Sequence, residues 1–178
     1  FVIRRNDQRL PVDIGAGMKS FRFPTGEQTA LIVPWGDVAT ATRTTGAPNV
    51  TAYMTFPTEQ AYLIKSTGFL LQRLIRIKAV RTRAARLIEQ RITGPSEHLR
   101  QTGRTQLYAR VRGKNGEQAE AWLETVEAYQ FTALAAVNAV EHVLSSSLQG
   151  ALTPAQAFGA DFVLKIPQTR RYDRLESR

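Results

Sequence analysis

Apolar and polar residues alternate in three short segments near the start of the chain, with the period of strands that bury one face. Residues 18–23 alternate until Pro24, residues 28–33 end in a continuous apolar run, and residues 49–56 alternate again. The pattern predicts three strands of one sheet.

A short helix is predicted between the second and third of these strands. Asp37 occupies an N-cap position before residues 38–45, and Gly46 followed by Pro48 is a stop signal. We therefore expect the helix to span residues 38–45.

The period becomes helical after Gly68, and no glycine or proline intervenes before Gly94. The apolar residues at this spacing are Leu70, Leu74, Ile77, Ala84 and Ile88. A long helix, straight or bent, is predicted over residues 68–91.

Two further alternating segments, Arg104–Arg112 and Gln118–Val126, flank the dipeptide Asn115-Gly116. Asn-Gly favours the positive φ angles of a tight turn, so the two segments are predicted to form a hairpin.

An alanine-rich helix is predicted next, over residues 129–148, with its end frayed by three serines. Its larger apolar residues share one side, which we expect to pack on the sheet: Leu134, Val137, Val140 and Leu144.

The last part of the chain begins with Thr153-Pro154, an N-cap followed by proline at the first helical position. This predicts a short helix that ends at Gly159. A last strand is predicted over residues 161–166, opened by Asp161, and residues 168–178 are expected to form a loose charged tail.

The order of these elements predicts an α+β fold, because strands and helices do not alternate as they do in a doubly wound parallel sheet. We expect a mostly antiparallel mixed sheet with helices covering one face, in a single domain over residues 1–167. The uncovered face predicts a homodimer formed through the sheet.

Composition excludes several kinds of chemistry. The 178 residues are 43% hydrophobic, which is typical of a folded chain, and they include no cysteine and only two histidines, His98 and His142. Disulfides and thiolate chemistry are excluded, and no metal site is predicted. We interpret both histidines as surface residues, with His142 favoured by the dipole at its helix end. No apolar run is long enough to span a bilayer, so we expect a soluble, cytoplasmic protein.

The positive charge is concentrated in one segment, residues 65–91, which we call the basic segment. It carries a net +7 of the chain's +9, because Glu89 is its only acid. Its cations are Lys65, Arg73, Arg76, Lys78, Arg81, Arg83, Arg86 and Arg91.

Three interpretations of the basic segment are open. On one continuous helix the cations lie nearly all round, which disfavours specific nucleic-acid binding. Arg81 falls inside the apolar stripe, which disfavours an interfacial membrane helix, although the leucines and isoleucines keep membrane or lipid contact open. A solvated or partner-facing helix is the interpretation we favour.

No nucleotide-binding or hydrolase motif stands in the sequence. There is no Gly-x-Gly-x-x-Gly turn, no Walker loop and no Gly-x-Ser-x-Gly elbow, and Gly15-Ala16-Gly17 does not open a predicted helix. No cofactor site is expected in this chain.

Four stretches in order nevertheless resemble a known family, the saccharopine dehydrogenase-like oxidoreductases. They are IVPWGDVATA at 32–41 with TGAPNV at 45–50 and Tyr53-Met54, GPSE at 94–97, ARVRGKNG at 109–116, and TPA at 153–155 with FGADF at 158–162. The resemblance covers nearly the whole chain.

The resemblance implies an enzyme of two parts. An N-terminal Rossmann domain would bind NAD or NADP, and a C-terminal domain would supply the substrate cavity and the dimer contact. This chain resembles only the C-terminal part, so we expect a fragment without the Rossmann domain and without activity of its own. The full-length protein would exchange hydride with an imine, amino-acid-type or enoyl-type small-molecule substrate.

Within the matching region, Trp35, Gly36 and Asp37 stand at a strand-to-helix junction suited to an anionic or polar substrate group. Arg43 and Arg22 are candidates for binding a substrate carboxylate. The structural alternative is that Asp37 caps the helix, Gly36 makes the turn, Trp35 is core and the arginines are solvated. Catalytic residues are not identified.

A different class of function stays open beside the enzyme hypothesis. The chain would then be a non-enzymatic basic module that binds nucleic acid or an anionic membrane through residues 65–91.

Overall fold

Antiparallel pairing accounts for every strand pair in the computed structural model, which describes residues 1–91 and 94–175. Helix makes up 44% and strand 26%, so the predicted α+β class is confirmed. The chain forms two compact units, Phe1–Gly94 and Pro95–Arg178. The single domain over residues 1–167 stays a prediction.

The first unit opens with a hairpin that the sequence analysis missed. Strands β1 (Val2–Arg5) and β2 (Gln8–Pro11) pair around Asn6 and Asp7, whose φ angles are 47° and 62°. Two successive positive φ angles define the tight turn that matches strand twist, and asparagine and aspartate tolerate them better than most residues.

A separate sheet follows, with β3 (Lys19–Phe23), β4 (Gly26–Ile32) and β5 (Tyr53–Thr55) in that order. The first two strands were predicted. The third strand, β5, is much shorter than the predicted range 49–56, because Val50 forms a bridge with Arg4 and does not extend β5. The central strand of this sheet is β4, in which the apolar residues Ala30, Leu31 and Ile32 are buried.

Helix α1 (Asp37–Thr45) ends at Gly46, whose φ of 71° is the left-handed cap that was predicted. Asp37 was wrongly predicted as the N-cap. Gly36 holds that position without a side-chain hydrogen bond, and Asp37 is the first helical residue. The negative charge of Asp37 in the first turn still interacts favourably with the dipole of α1.

Two helices replace the single one predicted over residues 68–91. Helix α2 (Thr58–Arg76) begins after Pro57, and α3 (Lys78–Arg91) follows Ile77, whose extended backbone (φ −75°, ψ 116°) separates them. The start at Thr58 was missed because Tyr62, Leu63 and Ile64 do not show a clear helical stripe.

The second unit contains the predicted hairpin at its predicted bounds. Helix α4 (Glu97–Thr102) precedes β6 (Arg104–Arg112) and β7 (Gln118–Val126), which pair from Arg104↔Val126 to Arg112↔Gln118. Gly116, with a φ of 93°, provides the positive φ angle in the connecting loop.

Helix α5 (Ala128–Leu144) is followed by α6 (Pro154–Phe158), and Thr153 forms the predicted cap of α6. The strand predicted over residues 161–166 is wrong, because a 3-10 helix occupies Ala160–Lys165. Phe162 and Ile166, four residues apart, are both buried, which suits a helical turn better than an alternating strand.

The tail predicted to be loose contributes a strand, β8 (Arg170–Tyr172), which pairs with β7. Its last three residues, 176–178, lie outside the described residues. The described strands therefore form three sheets, and the prediction of one sheet is wrong. The hairpins pair locally, which costs less chain entropy than assembling distant strands.

Candidate functional site

The predicted substrate junction lies at the surface of the first unit. Trp35 is 51% exposed, so the alternative that placed it in the core is wrong. The Trp35 and Gly36 carbonyls accept hydrogen bonds from the amides of Val38 (3.2 Å) and Ala39 (2.8 Å). The backbone of this junction is therefore used in starting α1, and the Trp35 and Asp37 side chains face outward.

The two candidate arginines are also exposed. Arg22 lies on β3 opposite Glu27 of β4, and Arg43 lies in the last turn of α1. Asp37 and Arg43 are six residues apart on one helix, which separates them by about 9 Å along the axis and about 120° around it. These two side chains therefore point from different faces of α1, and their role in substrate binding stays a prediction.

The glycine pair near the start of the chain does not form a nucleotide cradle. Gly15 has a φ of 83°, and a Cβ atom there would lie 2.7 Å from Cα of Lys65 in α2. A Cβ atom at Gly17 would lie 2.3 Å from Cδ1 of Ile32. The space that a Cβ atom would need is filled by the backbone of α2 at Gly15 and by the Ile32 side chain at Gly17. These residues therefore do not fit the phosphates of NAD or NADP.

His142 has a structural role that its position near a helix end did not reveal. Its Nδ1 lies 2.8 Å from the Asn138 carbonyl and its Nε2 lies 2.7 Å from Nζ of Lys165. Both ring nitrogens therefore have a hydrogen-bonding partner. The ring also contacts Phe158 and Phe162 edge-on, each at 5.5 Å. It therefore joins α5 to the elements that follow it.

The hairpin of the second unit carries an unusual tyrosine. Tyr108 donates to Oε1 of Glu120 across the strands at 2.9 Å and packs on Trp122 at 5.2 Å. Burial and the hydrogen bond to Glu120 raise the pKa of Tyr108. The neutral phenol is therefore favoured in the folded chain, and its hydrogen bond links β6 to β7.

Two carboxylates at turns of the second unit are held ionised. Hydrogen bonds from Gln101 and Arg100 lower the pKa of Glu97, and a backbone bond and Asn115 lower that of Glu117. Glu97 forms these bonds within α4, and Glu117 forms them within the β6–β7 loop. Within residues 1–91 and 94–175, no three acidic or histidine side chains converge on a metal position.

Helix α5 is apolar on both sides. Its inner side, with Phe131, Leu134, Asn138 and His142, is half-buried and belongs to the second unit. The outer face of α5 comprises Tyr129, Val137, Val140, Val143 and Leu144, which are 50–81% exposed. The prediction that Val137, Val140 and Leu144 pack on the sheet is therefore wrong. A shallow depression of about 270 Å³ on this face is lined by Ala136, Val137, Val140 and Glu141.

The basic segment is the second large exposed apolar region. Leu70, Ile77, Leu87 and Ile88 are each more than half exposed.

In the described part of the chain, every helix is too short or too polar to cross a lipid bilayer. No protein-family model matches the sequence, and neither the curated proteins nor the solved structures contain a significant match. The resemblance to saccharopine dehydrogenase-like proteins therefore rests on the four stretches of sequence alone.

Proposed function

We propose that this chain is the C-terminal substrate-binding and dimerisation part of a larger saccharopine dehydrogenase-like, NAD(P)-dependent oxidoreductase. The four matching stretches support the assignment, and each includes a junction or turn of the fold: the start of α1, the approach to α4, the β6–β7 loop and the start of α6. NAD or NADP would be bound by a domain outside this chain.

The outer face of α5 is the observation that carries the proposal. A helix that carries large apolar side chains on both its inner and its outer side is normally buried on both. In α5 only Glu141 is charged, yet Leu144 is 81% and Tyr129 is 64% exposed. Exposing this face to water is unfavourable by roughly 25 cal/mol for each square ångström of apolar surface. The helix therefore supports a docking function.

A second copy of the chain is the occupant that we propose. The residues of the outer face of α5 carry no charge, so two such faces can meet about a twofold axis with Glu141, which borders the face, at the rim of the contact. A standard interface covers about 800 Å² on each partner, so α5 would form its centre and neighbouring residues its rim. This proposal puts the dimer contact on a helix, and a dimer formed through the sheet stays the alternative that the strand pattern predicts.

Trp35, Gly36, Asp37, Arg43 and Arg22 belong to the proposal as candidate contacts for a polar or anionic substrate group. Their exposure is compatible with a wall that another domain completes. The substrate class stays open between imine or amino-acid-type and enoyl-type molecules.

The oligomeric state tests the proposal. Light scattering on the 178-residue chain should give about twice the mass of one chain at micromolar concentration. Val140→Glu should give a monomer, because two carboxylates would be buried opposite each other. Lys114→Glu introduces the same residue at the exposed hairpin tip of the same unit and should leave the dimer intact.

Two results would contradict the α5 dimer. One is a monomer of the parent chain up to roughly 100 micromolar, a range in which a standard interface associates. The other is an unchanged dimer in the Val140→Glu variant, provided that circular dichroism shows the variant to be folded.

A further inference from the structure

The basic segment protrudes from the part of the first unit that packs. Helix α2 is held in its first half, where Ala61 and Gly68 are buried, and its last packed residue is Gln72. From Arg73 to Arg91 every residue except Ala84 is exposed. A helix of this length is marginal by itself in water, so α3 needs a stabilising partner.

The break at Ile77 changes how the apolar and basic residues are arranged. On one continuous helix, Arg81 interrupts the apolar stripe. With two helices, Arg81 belongs to α3 and no longer shares an axis with Leu70 and Leu74. The objection to an interfacial location therefore does not hold for the folded chain.

Each helix has an apolar arc with cations beside it. At about 100° per residue, Leu70, Leu71, Leu74 and Ile75 cover an arc of about 140° in α2, and Arg73 and Arg76 lie outside it. In α3, Val80, Ala84, Leu87 and Ile88 cover about 100°. Lys78, Arg83 and Arg86 lie outside that arc and Arg81 flanks it, whereas Arg91, the last residue of the helix, falls within it.

The charge of the segment limits what can cover it. Eight cations face one acid, so a second copy of the same segment would be repelled. Duplex DNA would satisfy the cations through its phosphates but would leave Leu70, Leu87 and Ile88 exposed. An anionic lipid surface accepts both, because apolar side chains enter the acyl region while arginines extend to the headgroups.

We infer that the C-terminal half of α2 together with α3 docks this chain on an anionic membrane surface. The two helices lie in the headgroup region without crossing the bilayer. Arg73, whose guanidinium stacks at 4.3 Å over Phe69, illustrates how a cation and an aromatic ring are presented together at the start of this surface. The inference does not depend on the proposed oxidoreductase.

Vesicle flotation with the 178-residue chain tests the inference. Vesicles with about one third phosphatidylserine in phosphatidylcholine should carry the protein, whereas pure phosphatidylcholine vesicles should carry little. Binding should weaken from about 0.1 M to about 1 M salt, as the Debye length shortens from about 10 Å to about 3 Å. Helicity should rise on binding, because α3 gains a partner.

Two matched double variants test whether vesicle binding depends on the apolar side chains of α3 in particular, or weakens whenever exposed apolar residues are replaced by glutamine. Leu87→Gln with Ile88→Gln should weaken vesicle binding at least about a hundredfold, since burying each of the two side chains contributes a factor of about ten or more. Leu107→Gln with Val111→Gln makes the same kind of change at exposed positions of β6 and should bind like the parent chain.

Three results with vesicles would overturn the inference. They are equal binding to neutral and anionic vesicles, no binding to either, and vesicle binding that survives Leu87→Gln with Ile88→Gln unchanged. Duplex DNA is titrated in parallel, and tighter binding to DNA than to anionic vesicles at the same salt would assign the segment to nucleic acid. Light scattering on the α5 variants tests a different surface. An absence of vesicle binding would therefore not contradict the proposed dimer.

Discussion

A single glycine, Gly68, allows α2 to pack closely on the loop that contains Ile14. A Cβ atom on Gly68 would lie 2.0 Å from the Ile14 carbonyl oxygen, and Gln72 Oε1 accepts from the Ile14 amide at 3.0 Å one helical turn later. Glycine lowers helix propensity, so its presence inside α2 indicates a packing requirement. Helix and loop approach here as closely as their backbones allow.

Gly68→Ala should therefore destabilise the first unit. Overpacking of this kind costs about 1–3 kcal/mol, more than the gain in helix propensity returns. Chemical denaturation followed by circular dichroism measures the loss. Gly94→Ala makes the same change where a Cβ atom meets nothing within 4 Å, and it should be close to neutral. Equal stability of the two variants would contradict the packing argument.

The β6–β7 hairpin is the element in which sequence and structure agree most closely, because its information is local. Alternation and the Asn115-Gly116 turn signal stand within a few residues of one another. The cross-strand register then places Tyr108 beside Glu120 and Trp122, a cluster that no local pattern specifies.

The cluster makes the hairpin sensitive to alkaline pH. The raised pKa of Tyr108 means that its contribution to stability is complete below the ordinary tyrosine pKa and is lost as the pH rises through the higher folded value. Glu120→Gln should lower that pKa only in part, because burial remains. Ultraviolet titration measures it, with Glu124→Gln, which changes a carboxylate bonded to Gln106, as control. A shift of the same size in both variants would contradict a specific role of Glu120.

The described residues present two different exposed apolar surfaces, one nearly uncharged on α5 and the other basic on α2 and α3. The proposed dimer contact depends on the first surface, and the inferred membrane contact depends on the second. That NAD or NADP is bound by a domain outside this chain stays a prediction.

Calorimetric titration of NAD and NADP into the 178-residue chain should show no binding. Gly15 and Gly17, the closest approach to a glycine-rich loop, are occupied by contacts to Lys65 and Ile32. An NAD-binding dehydrogenase in the same buffer is the positive control. Micromolar binding of either nucleotide would mean that this chain itself holds the cofactor.

Local patterns were enough for much of the secondary structure. The Gly46 stop, the Thr153-Pro154 start and both strands of the hairpin follow from signals a few residues long. Local patterns did not predict the surroundings of the candidate site, because the exposure of Trp35 depends on which other segments pack around α1.

The sequence by itself determined the α+β class, the hairpin and the concentration of charge in residues 65–91, since each depends on composition or short-range order. Only the tertiary structure decided that the strands divide into three sheets, that Ile77 separates two helices and that α5 turns its valines outward. A periodic pattern specifies which residues share a face. Which face is buried depends on long-range packing against segments far away in the chain.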